Sequence, residues 1–156
     1  MLALRSIFFA LLLPGTVTLV LPYFILSRRP VPHWDAVGVP GLGAILAGAT
    51  ILIWCIADFA RVGRGTLAPV DPPKELVARG LYRFVRNPMY VGVVLVLVGE
   101  SALFRSASLL LYAGIFFLIA NLFVMLYEEP TLRARFGESY AHYRRSVGRW
   151  IPRRVK

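Results

Sequence analysis

The stretch MYVGVVLVLVGESAL, residues 89–103, is followed after only Phe104, Arg105 and Ser106 by ASLLLYAGIFFLIANLFVMLY, residues 107–127. A helix needs about 20 apolar residues to cross the hydrocarbon core of a bilayer. The second run meets that length, whereas the first is shorter, so we expect the first to tilt or to thin the bilayer locally. A link of three residues makes the two helices antiparallel neighbours. The sequence therefore predicts a helical hairpin in a membrane.

Two further apolar runs precede this hairpin, at residues 7–26 and 41–60. The first contains Pro14 and Pro22, which kink helices. An arginine before an apolar run is also typical of a signal peptide, but no convincing cleavage site follows, so we interpret the run as a retained helix. The second run is rich in glycine and alanine, which allow close helix packing. The predicted fold is an all-α membrane bundle of about four transmembrane helices with a C-terminal amphipathic helix.

The composition supports a membrane protein, since 58% of the 156 residues are hydrophobic. The net charge of +10 comes from basic residues between and after the apolar runs, so we read it as a topology signal and expect membrane lipids, not nucleic acid, as partners. Four spans place fifteen of the 18 Lys and Arg residues on one side. By the positive-inside rule both termini and the connection at residues 61–87 are cytoplasmic. The oligomeric state is left open.

The polar segments divide the chain into residues 1–60, an N-terminal transmembrane hairpin, and residues 61–156, a ligand-binding region within one structural domain. The connection at residues 61–87 is long enough to indicate function, and a short helix at 74–79 is predicted to end at Gly80. Beyond residue 127, Leu132, Phe136, Tyr140, Tyr143 and Val147 share one helical face and basic residues lie elsewhere. This pattern predicts an amphipathic helix on the membrane surface that folds back over the hairpin.

The hairpin brings two charged clusters together at its cytoplasmic end. Asn87 and Pro88 suit the cap and first position of a helix, but Arg83 and Arg86 are cations at the positive helix end, where an anion is expected. Glu128 and Glu129 lie at the negative end of the other helix, where a cation is expected. Arg83 or Arg86 can supply that cation in a structural ion-pair network. Alternatively, a zwitterionic ligand completes both clusters, and S-adenosylmethionine has the required charges.

The ordered set Gly80-Leu81-Tyr82, Arg86-Asn87-Pro88, Tyr90-Val91-Gly92, Glu128-Glu129-Pro130, Phe136-Gly137 and Arg149-Trp150-Ile151-Pro152 resembles the isoprenylcysteine carboxyl methyltransferase and phospholipid methyltransferase superfamily. The resemblance covers about half the chain. Asn87 replaces the histidine of that signature and cannot take up a proton, although its amide can still donate a hydrogen bond. A mechanism that uses an imidazole at this position therefore does not carry over.

The resemblance implies an S-adenosylmethionine-dependent methyltransferase. The cofactor-binding residues that it implies are Tyr82, Arg86, Asn87, Pro88, Tyr90, Gly92, Glu128 and Glu129, and the catalytic candidates are Glu128, Glu129 and Arg149. The acceptor is a lipophilic small molecule or a lipid, either the carboxylate of a prenylated cysteine or the amine of a phospholipid. The sequence upstream of Gly80 also resembles bacterial members of this superfamily. We therefore expect the protein to lie in a bacterial inner membrane.

Two other functions fit parts of the same pattern. Sterol-type membrane reductases carry a similar motif and bind NADPH, although they are usually longer, and a non-catalytic membrane scaffold can use the charged clusters for stability alone. His33 and His142 have no ligand-spaced partner, and the single cysteine, Cys55, lies in an apolar run. We therefore expect neither a metal site nor a disulfide framework.

Overall fold

The computed structural model describes residues 14–26, 31–62, 76 and 78–153, and for residues 59–62 the backbone alone. These residues are helical apart from their loops and one isolated bridge between Val85 and Gly148. In chain order, α1 consists of a π-helical turn Thr16–Val20 and an α-helix Leu21–Ile25, α2 is Gly38–Val62, a 3₁₀ turn is Gly80–Arg83, α3 is Pro88–Leu103, α4 is Ala107–Phe123, a second π-helical turn is Val124–Glu128 and α5 is Glu129–Ser146.

Helices α2 and α3 pack antiparallel through reciprocal pairs of glycines. A Cβ atom added at Gly48 would lie 2.6 Å from the carbonyl oxygen of Gly92, and one added at Gly99 would lie 2.5 Å from that of Gly41. Both distances are below any ordinary carbon–oxygen contact. The small residues predicted to let this run pack closely therefore do so against α3, where only glycine lets the two backbones approach.

The predicted hairpin of α3 and α4 is confirmed. Ser106 caps α4 by accepting a hydrogen bond from the backbone N–H of Leu109 at 3.2 Å. Their spacing in the sequence predicts that Glu100 meets Arg105 at the end of α3. This prediction is wrong, because Arg105 pairs with Asp35 in the loop before α2. That loop also contacts the hairpin turn, since the backbone N–H of His33 donates to the carbonyl of Leu103 at 2.8 Å. Linear spacing in α3 did not reveal this competing acid, which lies 70 residues away along the chain.

Helix α4 continues without a loop through the π-helical turn into α5, which folds back over the start of α3. Tyr140, Tyr143 and Val147 are buried, and Leu76, Leu132 and Phe136 pack against them. The predicted amphipathic face is therefore confirmed. The helix is bent at Gly137, whose φ of 50° is a conformation that other L residues rarely adopt. The sequence also predicts an ion pair of Asp58 with Arg61, three residues later, but the side chain of Arg61 lies outside the described part of the chain. Most of the short helix predicted at residues 74–79 lies outside it as well.

The outer surface of the helices is strongly apolar. On α4, Leu110, Leu111, Ile115, Leu118, Ile119 and Leu122 are exposed, which in water would form an unusually large apolar patch. Two helices are long and apolar enough to cross a membrane, α2 and the continuous helix that contains α4, whereas α1 and α3 are apolar but shorter. The structure thus supports a membrane protein with an all-helical fold.

Candidate functional site

A small cavity of about 20 Å³ lies where α3 begins and α4 ends. Polar groups and tyrosines line one part of it and aliphatic side chains line the rest; the lining residues are Arg86, Asn87, Val124, Glu128, Glu129, Leu132, Tyr140 and Tyr143. The hairpin therefore brings together the two predicted charged clusters. A cavity of this volume holds about one water molecule, so a cofactor of nucleoside size would bind here only after the lining side chains move apart.

Glu129 is the centre of a buried ion-pair network. Its Oε1 atom lies 3.0 Å from the Nη1 atom of Arg86, in side chains only 9% and 10% exposed. Arg149 donates to both carboxylate oxygens, from Nε at 2.7 Å and from Nη2 at 3.0 Å. The hydrogen bonds that Arg149 donates to Glu129 raise the pKa of Arg149. The cation expected beside the glutamates is thus Arg86, joined by Arg149, and the carboxylate of Glu129 is fully engaged.

Glu128 has the same side chain as its neighbour and a different environment. Its Oε2 atom is buried and has no hydrogen-bond partner among the described residues, while the carboxylate interacts with the hydroxyl of Tyr90. Burial, followed by the nearby charge of Glu129, raises the pKa of Glu128 from 4.5 to about 7. The Nε atom of Arg86 is also buried without a partner in the described part of the chain. Two residues that line the cavity therefore each have one unsatisfied buried atom, an acceptor on Glu128 and a donor on Arg86.

The segment that follows α5 closes the site from the other side. We call residues 147–153 the C-terminal strap. The backbone N–H of Arg86 donates to the carbonyl of Gly148 at 2.8 Å, and the Nδ2 atom of Asn87 donates to the carbonyl of Arg149 at 3.3 Å. Asn87 occupies the predicted cap position of α3 but makes no side-chain cap bond. The amide of Asn87, which stands where the family signature has a histidine, therefore joins the strap to the start of α3.

Tyrosines from both halves of the site make the remaining contacts. The hydroxyl of Tyr143 donates to the carbonyl of Tyr82 at 2.6 Å, which joins α5 to the 3₁₀ turn. The Tyr82 side chain reaches Cys55 of α2, and burial raises the pKa of Tyr82 well above 10. The Nη1 atom of Arg86 donates to the hydroxyl of Tyr140 at 3.3 Å. Tyrosine hydroxyl groups therefore link Arg86 to α5, α5 to the 3₁₀ turn, and that turn to α2.

Comparison with known proteins identifies the family. A sequence model of the phospholipid methyltransferase family matches residues 37–139. The chain belongs to this family. An uncharacterized protein of Haemophilus influenzae is 32% identical over 63 residues, which are 40% of this chain and the whole of that protein. No solved structure matches the chain. Membership in a family of phospholipid methyltransferases supports methyl transfer at a membrane, as the sequence resemblance implied.

The site residues predicted from sequence are not all at the cavity of this phospholipid methyltransferase family member. Pro88 is buried at the first turn of α3, and Tyr90 lies next to Glu128. Gly92 instead lies at the crossing of α2 and α3, away from the cavity, so its assignment to the cofactor stays a prediction. Arg83, the alternative cation, is exposed and takes part in none of the ion pairs of the described residues.

Sequence reasoning missed several residues that shape this site. Tyr140 and Tyr143 were placed on the apolar face of α5, and their hydroxyls gave the available signal, since buried tyrosines usually need a hydrogen-bond partner. Asn121 was not singled out, although an amide is unusual within an apolar helix. Trp150 appeared only as part of a motif. The family match ends at residue 139, so the strap lies beyond it.

Proposed function

We propose that this protein is an S-adenosylmethionine-dependent methyltransferase that methylates the amine of a membrane phospholipid. The observation that carries the proposal is the pair of unsatisfied buried atoms, Glu128 Oε2 and Arg86 Nε, in a cavity beside a membrane helical hairpin. Buried polar groups in native proteins are nearly always satisfied, so an unpaired acceptor and donor in one cavity indicate a ligand with both charges.

The residues at the cavity fit the amino-acid end of S-adenosylmethionine. The free Nε–H of Arg86 suits its carboxylate, and Glu128 suits a cation. Glu129 is already engaged by Arg86 and Arg149, so we assign it the role of a positioning residue that fixes the guanidinium of Arg86. Bound S-adenosylmethionine supplies an electrophilic methyl group on a sulfonium. The protein contributes charge, orientation and exclusion of water at that group.

The acceptor assignment follows from the family and from the state of Glu128. An ammonium headgroup must lose one proton for each methyl group that it gains, and a carboxylate with a pKa near 7 can take that proton at neutral pH. Glu129 is a poor recipient because two arginines already donate to it. The carboxylate of a prenylated cysteine, the second acceptor class, needs no such base. Membranes incubated with labelled methyl donor distinguish the two, because the label enters either a phospholipid or a thioether-linked isoprenoid.

The proposed setting is the cytoplasmic face of a bacterial inner membrane, with four spans and both termini inside. The charge asymmetry of the sequence supports this orientation. Reporter fusions at the C terminus and in the connection at residues 61–87 test it, since both must report the cytoplasm. A periplasmic signal from either position contradicts the assignment.

Calorimetric titration of the purified, folded protein tests the cofactor. We expect binding of S-adenosylmethionine and none of NADPH. Glu128→Gln should weaken binding about tenfold or more, because a charged hydrogen-bond acceptor is lost. Glu138→Gln is the matched control, since Glu138 is 94% exposed and its change should leave the affinity within about twofold.

Each failure of this titration points to a different function. Heat with NADPH and none with S-adenosylmethionine supports the reductase alternative. No heat with either ligand supports a non-catalytic scaffold, in which the buried charges serve stability alone. An unchanged affinity in Glu128→Gln places the cofactor away from the unsatisfied atoms.

A further inference from the structure

Tyr90 on α3 connects the candidate site to the C-terminal strap. Its hydroxyl makes a hydrogen bond with the carboxylate of Glu128, whose Oε2 atom has no partner in the described part of the chain. Its ring packs edge-on against the indole of Trp150, with 6.2 Å between the ring centroids. One tyrosine therefore contacts both the unpaired glutamate and the strap.

Trp150 is itself held by two contacts with α4. Its ring centroid lies 5.2 Å from that of Phe117, and its indole Nε1–H donates to the Oδ1 atom of Asn121 at 3.0 Å. An amide in an apolar helix is costly unless its hydrogen bonds are made, and an indole that leaves water needs an acceptor. The pair of Asn121 and Trp150 meets both requirements and fixes the orientation of the indole.

Glu128 lacks the contacts that fix its neighbour. Two arginines hold the carboxylate of Glu129, whereas Glu128 takes part in none of the ion pairs of the described residues. A glutamate side chain loses much rotamer freedom when it is ordered. One hydrogen bond can set its direction only if the donor is fixed as well, and the ring contact with Trp150 limits the movement of Tyr90.

We infer that Tyr90 and Trp150 are positioning residues: the indole, anchored by Asn121, holds the Tyr90 hydroxyl against Glu128 and so directs the free Oε2 atom toward the ligand. The strap thereby acts on Glu128 through Tyr90, in addition to its direct ion pair with Glu129. The inference rests on the proposed function for the role of Glu128 in cofactor binding, whereas the chain of contacts is testable in the ligand-free protein.

A shift in the titration of Glu128 distinguishes this role from a general loss of packing. A hydroxyl that donates to a carboxylate stabilises the charged form and lowers its pKa. Its removal in Tyr90→Phe should therefore raise the pKa of Glu128 above the value of about 7. That variant leaves in place the other titratable or charged groups near Glu128, which are Glu129 beside it, Tyr82 of the 3₁₀ turn, Tyr140 of α5 and Arg86 at the start of α3.

Calorimetric titration with S-adenosylmethionine between pH 6 and 8.5 measures this shift. Relative to the unsubstituted protein at the same pH, Tyr90→Phe should bind about fivefold more weakly at pH 7 and within about twofold at pH 8.5. This pattern corresponds to a midpoint that is about one pH unit higher. Trp150→Leu and Asn121→Leu should move the midpoint by about half a unit in the same direction. Trp34→Leu, at an exposed tryptophan outside the helices, is the matched control and should not move it.

The double variant Tyr90→Phe, Trp150→Leu tests whether the strap acts through Tyr90. Without the hydroxyl the indole has no donor to position, so the double variant should have the same midpoint as Tyr90→Phe alone. A further shift of about half a unit overturns the inference, because the strap would then act on Glu128 through Arg149 and Glu129. If Trp150→Leu does not fold, Asn121→Leu takes its place in the double variant.

Unfolding of the ligand-free protein at each pH provides a second measurement. The fall in stability with rising pH should end near pH 7 in the unsubstituted protein and about one unit higher in Tyr90→Phe. A loss of affinity in Tyr90→Phe that is equal at every pH, with an unchanged unfolding profile, overturns the inference and makes Tyr90 a direct cofactor contact. If the unfolding profile shifts but S-adenosylmethionine does not bind, the proposed function fails and the positioning of Glu128 by Tyr90 stands.

Discussion

The two ends of α3 are packed differently. Along its middle and far end, Gly92 and Gly99 meet Gly48 and Gly41 so closely that no side chain fits between the backbones. At its beginning, Arg86 and Glu128 surround a cavity and each leaves one buried polar atom unsatisfied. One region leaves no space between the backbones, whereas the other contains a small cavity. The difference separates the part of the helix that holds the fold from the part that is available for chemistry.

Two neighbouring glutamates beside the start of α3, Glu128 and Glu129, also differ in their surroundings. Glu129 is engaged by two guanidinium groups, whereas Glu128 is buried beside it without an ion pair in the described structure. The backbone turns by about 100° between adjacent helical residues, so the two side chains face different surroundings. We therefore expect Glu129 to stabilise the fold, as the glycine crossing does, although it lines the cavity.

The largest effect on stability is expected from Glu129→Ala. Removing this carboxylate leaves Arg86 and Arg149 without their shared partner, and loss of one member of a buried ion pair costs about 3–5 kcal/mol. Denaturant unfolding in detergent, with Glu138→Ala as the exposed control, measures it. A loss below about 1 kcal/mol in Glu129→Ala would show that the network contributes no more than a surface ion pair.

A smaller loss is expected at the glycine crossing. In Gly48→Ala the new methyl group would contact the carbonyl of Gly92, and overpacking of this kind costs about 1–3 kcal/mol. Gly43 lies on the same helix with open space around it, so Gly43→Ala should be neutral or slightly stabilising. Thermal unfolding of the two variants compares them directly. Equal transition temperatures would mean that α2 and α3 do not approach this closely.

The contrast between the two glutamates also predicts a dependence on pH. The pKa of Glu128 is raised to about 7 in the folded protein, so the folded state retains a proton that the unfolded state loses near 4.5. Stability of the ligand-free protein should therefore fall as the pH rises from about 4.5 to 7, and affinity for S-adenosylmethionine should rise roughly eightfold between pH 6 and 7.5 as the carboxylate becomes charged.

Calorimetric titration with S-adenosylmethionine across this pH range measures the rise in affinity, and unfolding at each pH measures the fall in stability. Glu128→Gln removes the titrating group and should flatten both curves. A pH dependence that persists unchanged in that variant assigns the titration to another residue.

Much of the architecture was predictable because its causes are local. The apolar runs and the three-residue link define the hairpin, Asn87-Pro88 marks the start of α3, and the spacing of apolar residues after position 131 gives the buried face of α5. The proximity of Arg86 and Glu129 also followed, since antiparallel helices of similar length bring their ends together. The domain boundary at residue 60 stays a prediction.

Other parts of the site could not be predicted because they depend on contacts between distant segments. Spacing placed Glu100 near Arg105, but the loop at Asp35 competes for the same cation. The motif around Gly92 indicated a ligand and gave no sign that this glycine also lies at the crossing of α2 and α3. Asn87 was judged by its cap position, and its amide instead binds the strap. In each case the residue contacts a partner more than 40 positions away in the sequence, which local spacing does not reveal.

The sequence by itself determined that this protein is helical, that it belongs in a membrane and that charges of both signs meet at one end of a hairpin. Those properties follow from hydrophobic length, loop length and helix-end electrostatics, which act within a few residues. Only the tertiary structure decided that Glu129 is paired and Glu128 is not, and that Trp150 packs against Tyr90 and Phe117. The path of the strap back over the hairpin sets these contacts, and no local pattern encodes that path.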